Sequence, residues 1–382
     1  MRASGETLWA SAEHGSIVAR VAIAGDFLPA GRLAIPEGHS WRQMAGGLAA
    51  CFEDVSATFL NLECCLDSAT LLARTLCGLG DIVTAPADSL DYLAEIRAVA
   101  VGIANNHIFD FNVAGVQRTR SAIWQHEMIP LGAGRTTRDL PEIFVWKGPD
   151  SIRVGFWAAA VATHDPAKPS KVGVEPTIPE RARKAREEMK KLGASVCIVL
   201  LHAGSLRTNR PDPEQRRLMD SLATSGFDIV AASHSHRISG YSQLTGEAGP
   251  SFCFYGLGSI VSGYASLSLE REGLIAVAGL DRHGQMASME VRPLLLKADG
   301  FGSIPSAHAS REILDRFRML SDEVADGSWE RHFYHEISQG LLRLYTRDLK
   351  AAYRAGGMRA LARKASRVRG RHVRRLVHRV IG

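Results

Sequence analysis

Five apolar runs in this chain each stop at a residue able to hold a metal ion. Val18–Ala24 leads to Gly25-Asp26, Ala57–Leu60 to Asn61-Leu62-Glu63, and Val99–Ala104 to Asn105-Asn106-His107. Val196–Leu201 leads to His202, and Phe227–Ala232 to Ser233-His234-Ser235-His236. Helix-like segments at Leu90–Ala98, Val113–His126, Pro179–Leu192 and Pro213–Ser225 fall among these runs. A strand–helix–strand rhythm of this kind predicts a mainly parallel sheet lying between helices. In such folds ligands bind outside the carboxyl ends of the strands.

The donors at these ends are mixed. Asp26 and Glu63 offer carboxylates, Asn106 an amide oxygen, and His202, His234 and His236 imidazoles. A nitrogen and oxygen set suits Mn, Fe or Zn better than Ca or Mg. Six donors exceed one tetrahedral site and suit two divalent ions sharing a carboxylate. Each piece alone has a plainer reading. Asn105-Asn106-His107 and Asp26 fit turns, Glu63 fits a solvated strand end, and a lone histidine is more often a satisfied core residue. The recurrence carries the metal reading. Because residues i and i+2 share a face of an extended strand, His234 and His236 can address one place if the backbone there is extended.

Other features narrow the class. The chain has 382 residues, 46% hydrophobic and 23% charged, enough for a large core without disulfides. Its six cysteines form no Cys-x-x-Cys pair, which points to packed thiols in a reducing, cytoplasmic setting. The first residues lack an apolar signal-peptide core. No run of about 18 uncharged apolar residues suggests a membrane-spanning helix. There is no Gly-x-Ser-x-Gly elbow, phosphate-binding Gly-x-x-x-x-Gly-Lys loop or Gly-x-Gly-x-x-Gly turn.

Charge is unevenly placed. Residues 341–382 carry 13 of the 46 Lys and Arg but one of the 40 acidic residues, so this tail is +12 and the rest is −6. Leu361, Val368, Val373, Leu376, Val377 and Val380 approximate an apolar stripe among these cations. Such a helix can rest on an anionic membrane surface or hold an acidic partner. Nucleic acid is disfavoured, because no aromatics interleave with the cations.

As an ordered set, Gly25-Asp26, Asn61-Leu62-Glu63, NNHIFD at 105–110, Leu201-His202, SHSH at 233–236 and YGLGS at 255–259 resemble the CapA-type capsule and poly-γ-glutamate biosynthesis proteins. These belong to the calcineurin-like metallophosphoesterase superfamily. The likeness covers roughly residues 17–295 and includes 131–148. It implies a two-sheet β-sandwich flanked by helices, a four-layer α/β/β/α fold. The predicted boundaries are a leader over 1–16, the domain over 17–299 and a basic helical extension over 300–382.

The resemblance also implies roles. Asp26 and His236 hold the first metal, Glu63 bridges, and Asn106, His202 and His234 hold the second. His107 faces the substrate and donates a proton, with Asp110 orienting it. The chain departs from the family pattern at Leu28, where the wider superfamily has His. It departs again at Cys65 in place of Pro, Asn112 in place of Gly and Ser259 in place of Asn. The expected function is a metal-dependent hydrolase or transferase acting on a phosphoester or γ-glutamyl-like amide, with an acidic polymer or small molecule as substrate. The alternative is a non-catalytic polyanion-binding or export-associated module.

Overall fold

The computed structural model describes residues 5–11, 15–66, 82–139, 141–161, 166–168, 171–206, 208–245, 249–265 and 268–339. The basic tail over 340–382, with its expected membrane contact, lies outside the described residues. The chain divides into a compact unit Met1–Ala325 and a second unit, Asp326–Gly382.

Two sheets form the first unit. In one, the spatial order is Glu6–Ala10, Met286–Leu296, Glu272–Leu280, Ala19–Gly31, Ala57–Leu62, Ala98–Gly102 and Ile129–Leu131. In the other it is Tyr241–Thr245, Pro250–Phe254, Ile229–Ser233, Val196–His202, Arg153–Ala160 and Ile143–Lys147. The parallel strands at the centre of each sheet are mainly apolar because both faces are covered. Val196–His202 is buried at every position. The two sheets meet face to face, with the Phe59 and Phe156 ring centroids 4.7 Å apart between them. Helices cover the outer faces, Asn112–Gln125 on the first sheet and Pro179–Lys191 and Pro213–Thr224 on the second. The four-layer α/β/β/α architecture is therefore present.

Local chemistry sets the helix ends. Pro179 opens one helix, where its missing N–H costs nothing, and Gly193 follows the last turn at φ +82°. Asp212 caps Pro213–Thr224 in a capping box with Gln215.

Two expectations change. Residues 1–16 are not all leader, because Glu6–Ala10 pairs antiparallel with Met286–Leu296. The centre of the first sheet is parallel, as the strand–helix–strand rhythm predicts. Glu272–Leu280 and Met286–Leu296 join the first sheet as an antiparallel wing beside Ala19–Gly31. The compact unit also runs past residue 299. The helix Ala307–Asp326 packs Phe317 on Tyr241, with ring centroids 5.5 Å apart. Its Arg316 pairs with Glu272.

Candidate metal centre

All the predicted donors sit at one edge, where the central parallel strands of both sheets end. Asp26 does not end its strand, as the apolar pattern suggested. It lies inside Ala19–Gly31, at the point where that strand exchanges an antiparallel neighbour for the parallel strand Ser259–Gly263. Asp26 N–H donates to Gly258 O at 3.0 Å. Gly25 must be glycine here, since a Cβ would stand 1.9 Å from Gly258 O. Glu63 directly follows Ala57–Leu62, and His202 closes Val196–His202.

The Ser-His-Ser-His segment departs from the extended form that would place both rings on one face. The strand ends at Ser233, and His234 and His236 have φ of +111° and +56°. Non-glycine residues rarely hold such angles, and they concentrate at functional sites. His234 N–H is held by Asp26 Oδ2 at 3.1 Å, and Ser235 Oγ accepts from Arg237 N–H at 3.4 Å. The turn sends the two imidazoles to different neighbours.

Two donor groups result, each with its atoms within 4.8 Å of one another: Glu63, His202 and His234, and Asp26, Glu63 and His236. Glu63 belongs to both. Its Oε1 lies 3.6 Å from His202 Nε2 and from His234 Nδ1, while its Oε2 lies 3.6 Å from His236 Nε2. Asp26 Oδ2 is 3.3 Å from His236 Nδ1, and Asn106 Oδ1 is 2.7 Å from His202 Nε2. Ser233 Oγ lies 3.3 Å from His202 Nδ1. Asn61 Nδ2 lies 3.5 Å from the same ring nitrogen, which leaves Nε2 facing Glu63 and Asn106.

The donors fit a cation. Ligands about 2.1 Å from a shared ion are separated by about 3.0–3.4 Å at octahedral or tetrahedral angles, close to most of these spacings. Glu63 Oε2 and His234 Nδ1 are buried with no hydrogen-bond partner among the described residues. Buried polar atoms normally have partners. A bound ion would supply what both lack.

Electrostatics are consistent with one tightly coupled cluster. Burial raises the Asp26 carboxyl, but the hydrogen bond and charge of His236, the charge of His202 and the Asn61 amide outweigh it. The carboxyl is held well below the usual carboxylate range. Burial and the neighbouring His234 push His202 far down, against Asp26. Burial also opposes charge on His236, yet Glu63 and Asp26 prevail and push it up to about 9.

His107 and Asp110 form a separate pair beside this edge. His107 Nδ1 is 2.9 Å from Asp110 Oδ2, which also accepts Val83 N–H at 2.7 Å. With Nδ1 fixed, Nε2 is the atom left to carry an exchangeable proton.

The family departures have local explanations. Asn112 has φ +53°, a left-handed position that Asn tolerates where Gly is usual. Leu28 is buried in the core, Cys65 packs beside Thr119, and Ser259 Oγ lies 3.3 Å from His236 Nδ1. The described cysteines are all buried, and Cys51, Cys64, Cys197 and Cys253 are free thiols. Burial raises Cys64 well above its ordinary value, a trend opposite to that of a thiolate ligand.

Sequence reasoning gave no role to Asn61, Asn105 or Ser233. Asn61 had a detectable signal: it is a polar residue in a strand buried throughout, two residues before Glu63 and so on the same face.

Fold and centre together define a four-layer α/β/β/α sandwich with His, Asp and Glu groups at one edge that could hold a metal ion. The chain belongs to the family described as Bacterial capsule synthesis protein PGA_cap, whose model matches residues 20–264. It is 23% identical over 257 residues to Capsule biosynthesis protein CapA of Bacillus anthracis, covering 65% of this chain and 60% of that one. It is 26% identical over 177 residues to PGA biosynthesis protein CapA of Bacillus subtilis (strain 168), covering 46% and 45%. The alignments thus span about half of each relative's length. Among solved structures, a 5'-nucleotidase precursor from Thermus thermophilus is similar at TM-score 0.46 and 14% identity, over 79% of this chain and 58% of that one. The calcineurin-like phosphoesterase YfkN of Bacillus subtilis is similar at TM-score 0.43 and 12% identity, over 81% and 98%. Among the described residues no helix is long and apolar enough to cross a membrane.

Proposed function

We propose that this protein is a metal-dependent hydrolase with a dinuclear centre, acting on a phosphoester or a γ-glutamyl-like amide of an acidic polymer or small molecule. Asp26, Glu63 and His236 would hold one divalent ion, and Glu63, Asn106, His202 and His234 the other. When bound, such ions supply Lewis-acid charge at the attacked centre and acidify a water for attack. His107 donates the proton that the leaving oxygen or nitrogen takes up. Asp110 fixes the orientation and tautomer of the His107 ring. The buried strand ends beneath the donors keep bulk water from the rear of the site.

One observation carries this reading: Glu63 turns its two oxygens to two different donor groups, and a buried oxygen and a buried ring nitrogen there have no hydrogen-bond partner among the described residues. The test is metal quantitation on protein purified without chelator, together with assays on p-nitrophenyl phosphate and γ-glutamyl peptides. Near-stoichiometric Mn, Fe or Zn with turnover of either substrate is expected. Substoichiometric metal and no turnover would favour a polyanion-binding module instead.

A further inference from the structure

We propose that Asn61 and Asn105 form a buried amide relay that locks the Asp26 carboxylate to the Asn106–His107 turn, making both positioning residues for the metal centre. The inference rests on the dinuclear reading above and assigns work to two side chains outside the ligand set.

Asn61 is 2% exposed and Asn105 1%. Asn61 Nδ2 donates to Asp26 Oδ1 at 2.7 Å. That occupies one carboxylate oxygen and leaves Oδ2 to face His236 and to accept His234 N–H. Asn61 Oδ1 accepts from Asn105 Nδ2 at 3.3 Å, and Asn105 Nδ2 also donates to Leu62 O at 2.7 Å. Asn105 Oδ1 then accepts His107 N–H at 3.1 Å. The path runs from a ligand of one donor group, through two amides, to the backbone carrying a ligand of the other group and the candidate proton donor.

The residue type is dictated at each step. Asn61 must donate to a carboxylate and accept from an amide, which an amide side chain can do at one position and a carboxylate cannot. Turning the Asn61 amide over would set its oxygen against Asp26 Oδ1 and its nitrogen against the Asn105 donor, so the network fixes one orientation. Aspartate at 61 would place a second buried carboxylate against Asp26, and like charges at that range disfavour ionisation of both. Asn105 likewise needs a donor for Asn61 and Leu62 and an acceptor for His107 N–H. Partners behind the ligands set ligand orientation, and their loss typically costs about 10–100-fold in metal affinity.

The relay is tested on the full-length chain with Mn(II) alone, by electron paramagnetic resonance titration and calorimetry. Wild type, Asn61→Asp, Asn61→Ala and Asn105→Asp are compared, with the melting temperature of each metal-free protein as the control for folding. Asn61→Asp should weaken at least one Mn step by about 10–100-fold and alter the spin-coupled spectrum of the paired ions. Asn61→Ala, which removes the donor without adding charge, should show a smaller loss in the same step and covers the case in which the charged variant does not fold. Asn105→Asp keeps the acceptor for His107 N–H but loses the donor to Asn61 Oδ1 and Leu62 O, so it should perturb the spectrum as well. Unchanged Mn affinities and spectra in the Asn61 variants, with only the melting temperature lowered, would reduce Asn61 to a packing residue and overturn the relay. A wild-type chain that binds no Mn overturns the dinuclear reading as well, so the two failures are told apart.

Discussion

The Arg181–Glu175 pair and the Glu63 centre both bury charge in the same unit, and their hydrogen-bond inventories differ. Arg181 donates to both Glu175 oxygens at 2.6 and 2.7 Å and to the carbonyls of Thr137 and Asp139 at 3.0 and 2.7 Å. Burial still raises the Glu175 carboxyl, but its charge has a bidentate partner. At the Glu63 centre no Lys or Arg among the described residues plays that part. Two carboxylates and three imidazoles crowd together, and Glu63 Oε2 and His234 Nδ1 are left without hydrogen bonds from the described residues. Desolvating charge is costly unless it is paired. The first pair is complete within the protein, whereas the second leaves two buried donor atoms that a cation could satisfy.

Substitution separates the two regions. Glu63→Gln should have the largest effect. By weakening both donor groups it should lower metal affinity by more than the roughly 100-fold seen for outer-shell changes. The metal-free protein should melt close to wild type, because the change removes only the 3.6 Å contact of the Glu63 charge with His236. A large drop in its melting temperature would show that the centre is an ordinary structural cluster. His107→Ala should reduce turnover by about 10²–10⁴-fold with metal content unchanged, read by steady-state rates beside metal analysis. Arg181→Met should do the converse, costing about 3–5 kcal/mol in denaturant unfolding by stranding Glu175, with metal content intact. Metal depletion with a chelator should then cost about 2.7 kcal/mol relative to protein with free ion at 100 times its Kd, while leaving the Arg181 region unaffected.

The smallest effect concerns Asp54, whose pair with Arg292 resembles the Arg181 pair but is more open. Burial raises its carboxyl, and the hydrogen bonds and charge of Arg292, helped by Arg20, hold it below the ordinary value of 3.8. A depressed carboxyl adds stability above its unfolded value, and this is lost as pH falls through the folded one. The gap in melting temperature between wild type and Asp54→Asn should therefore be present at neutral pH and close below pH 3.8. A gap that stays constant into acid would mean that Asp54 acts through packing alone.

Much of this was legible in the chain because buried parallel strands must be continuously apolar, so their ends stand out. Val196–His202 and the donor that closes it were readable on that ground, as were Pro179 and Gly193 around their helix. Asp26 misled: the apolar run stops there, but the strand continues, because the chain exchanges one partner strand for another, and that exchange depends on residues more than 200 positions away. The edge strand Glu6–Ala10 was missed because five residues, none of them fully buried, carry little pattern. Asn61 was passed over because an amide beside apolar neighbours has no ligand signature of its own.

By itself the sequence determined the donor types, their order and the strand ends that present them, since periodicity and burial are local properties of a chain. Tertiary structure alone decided which donors lie within reach of one another. The left-handed turn at His234 and His236, the split of the Glu63 oxygens and the contact of Asn61 with Asp26 come from strands distant in sequence meeting at one edge. No local pattern encodes those distances; they follow from how the two sheets pack.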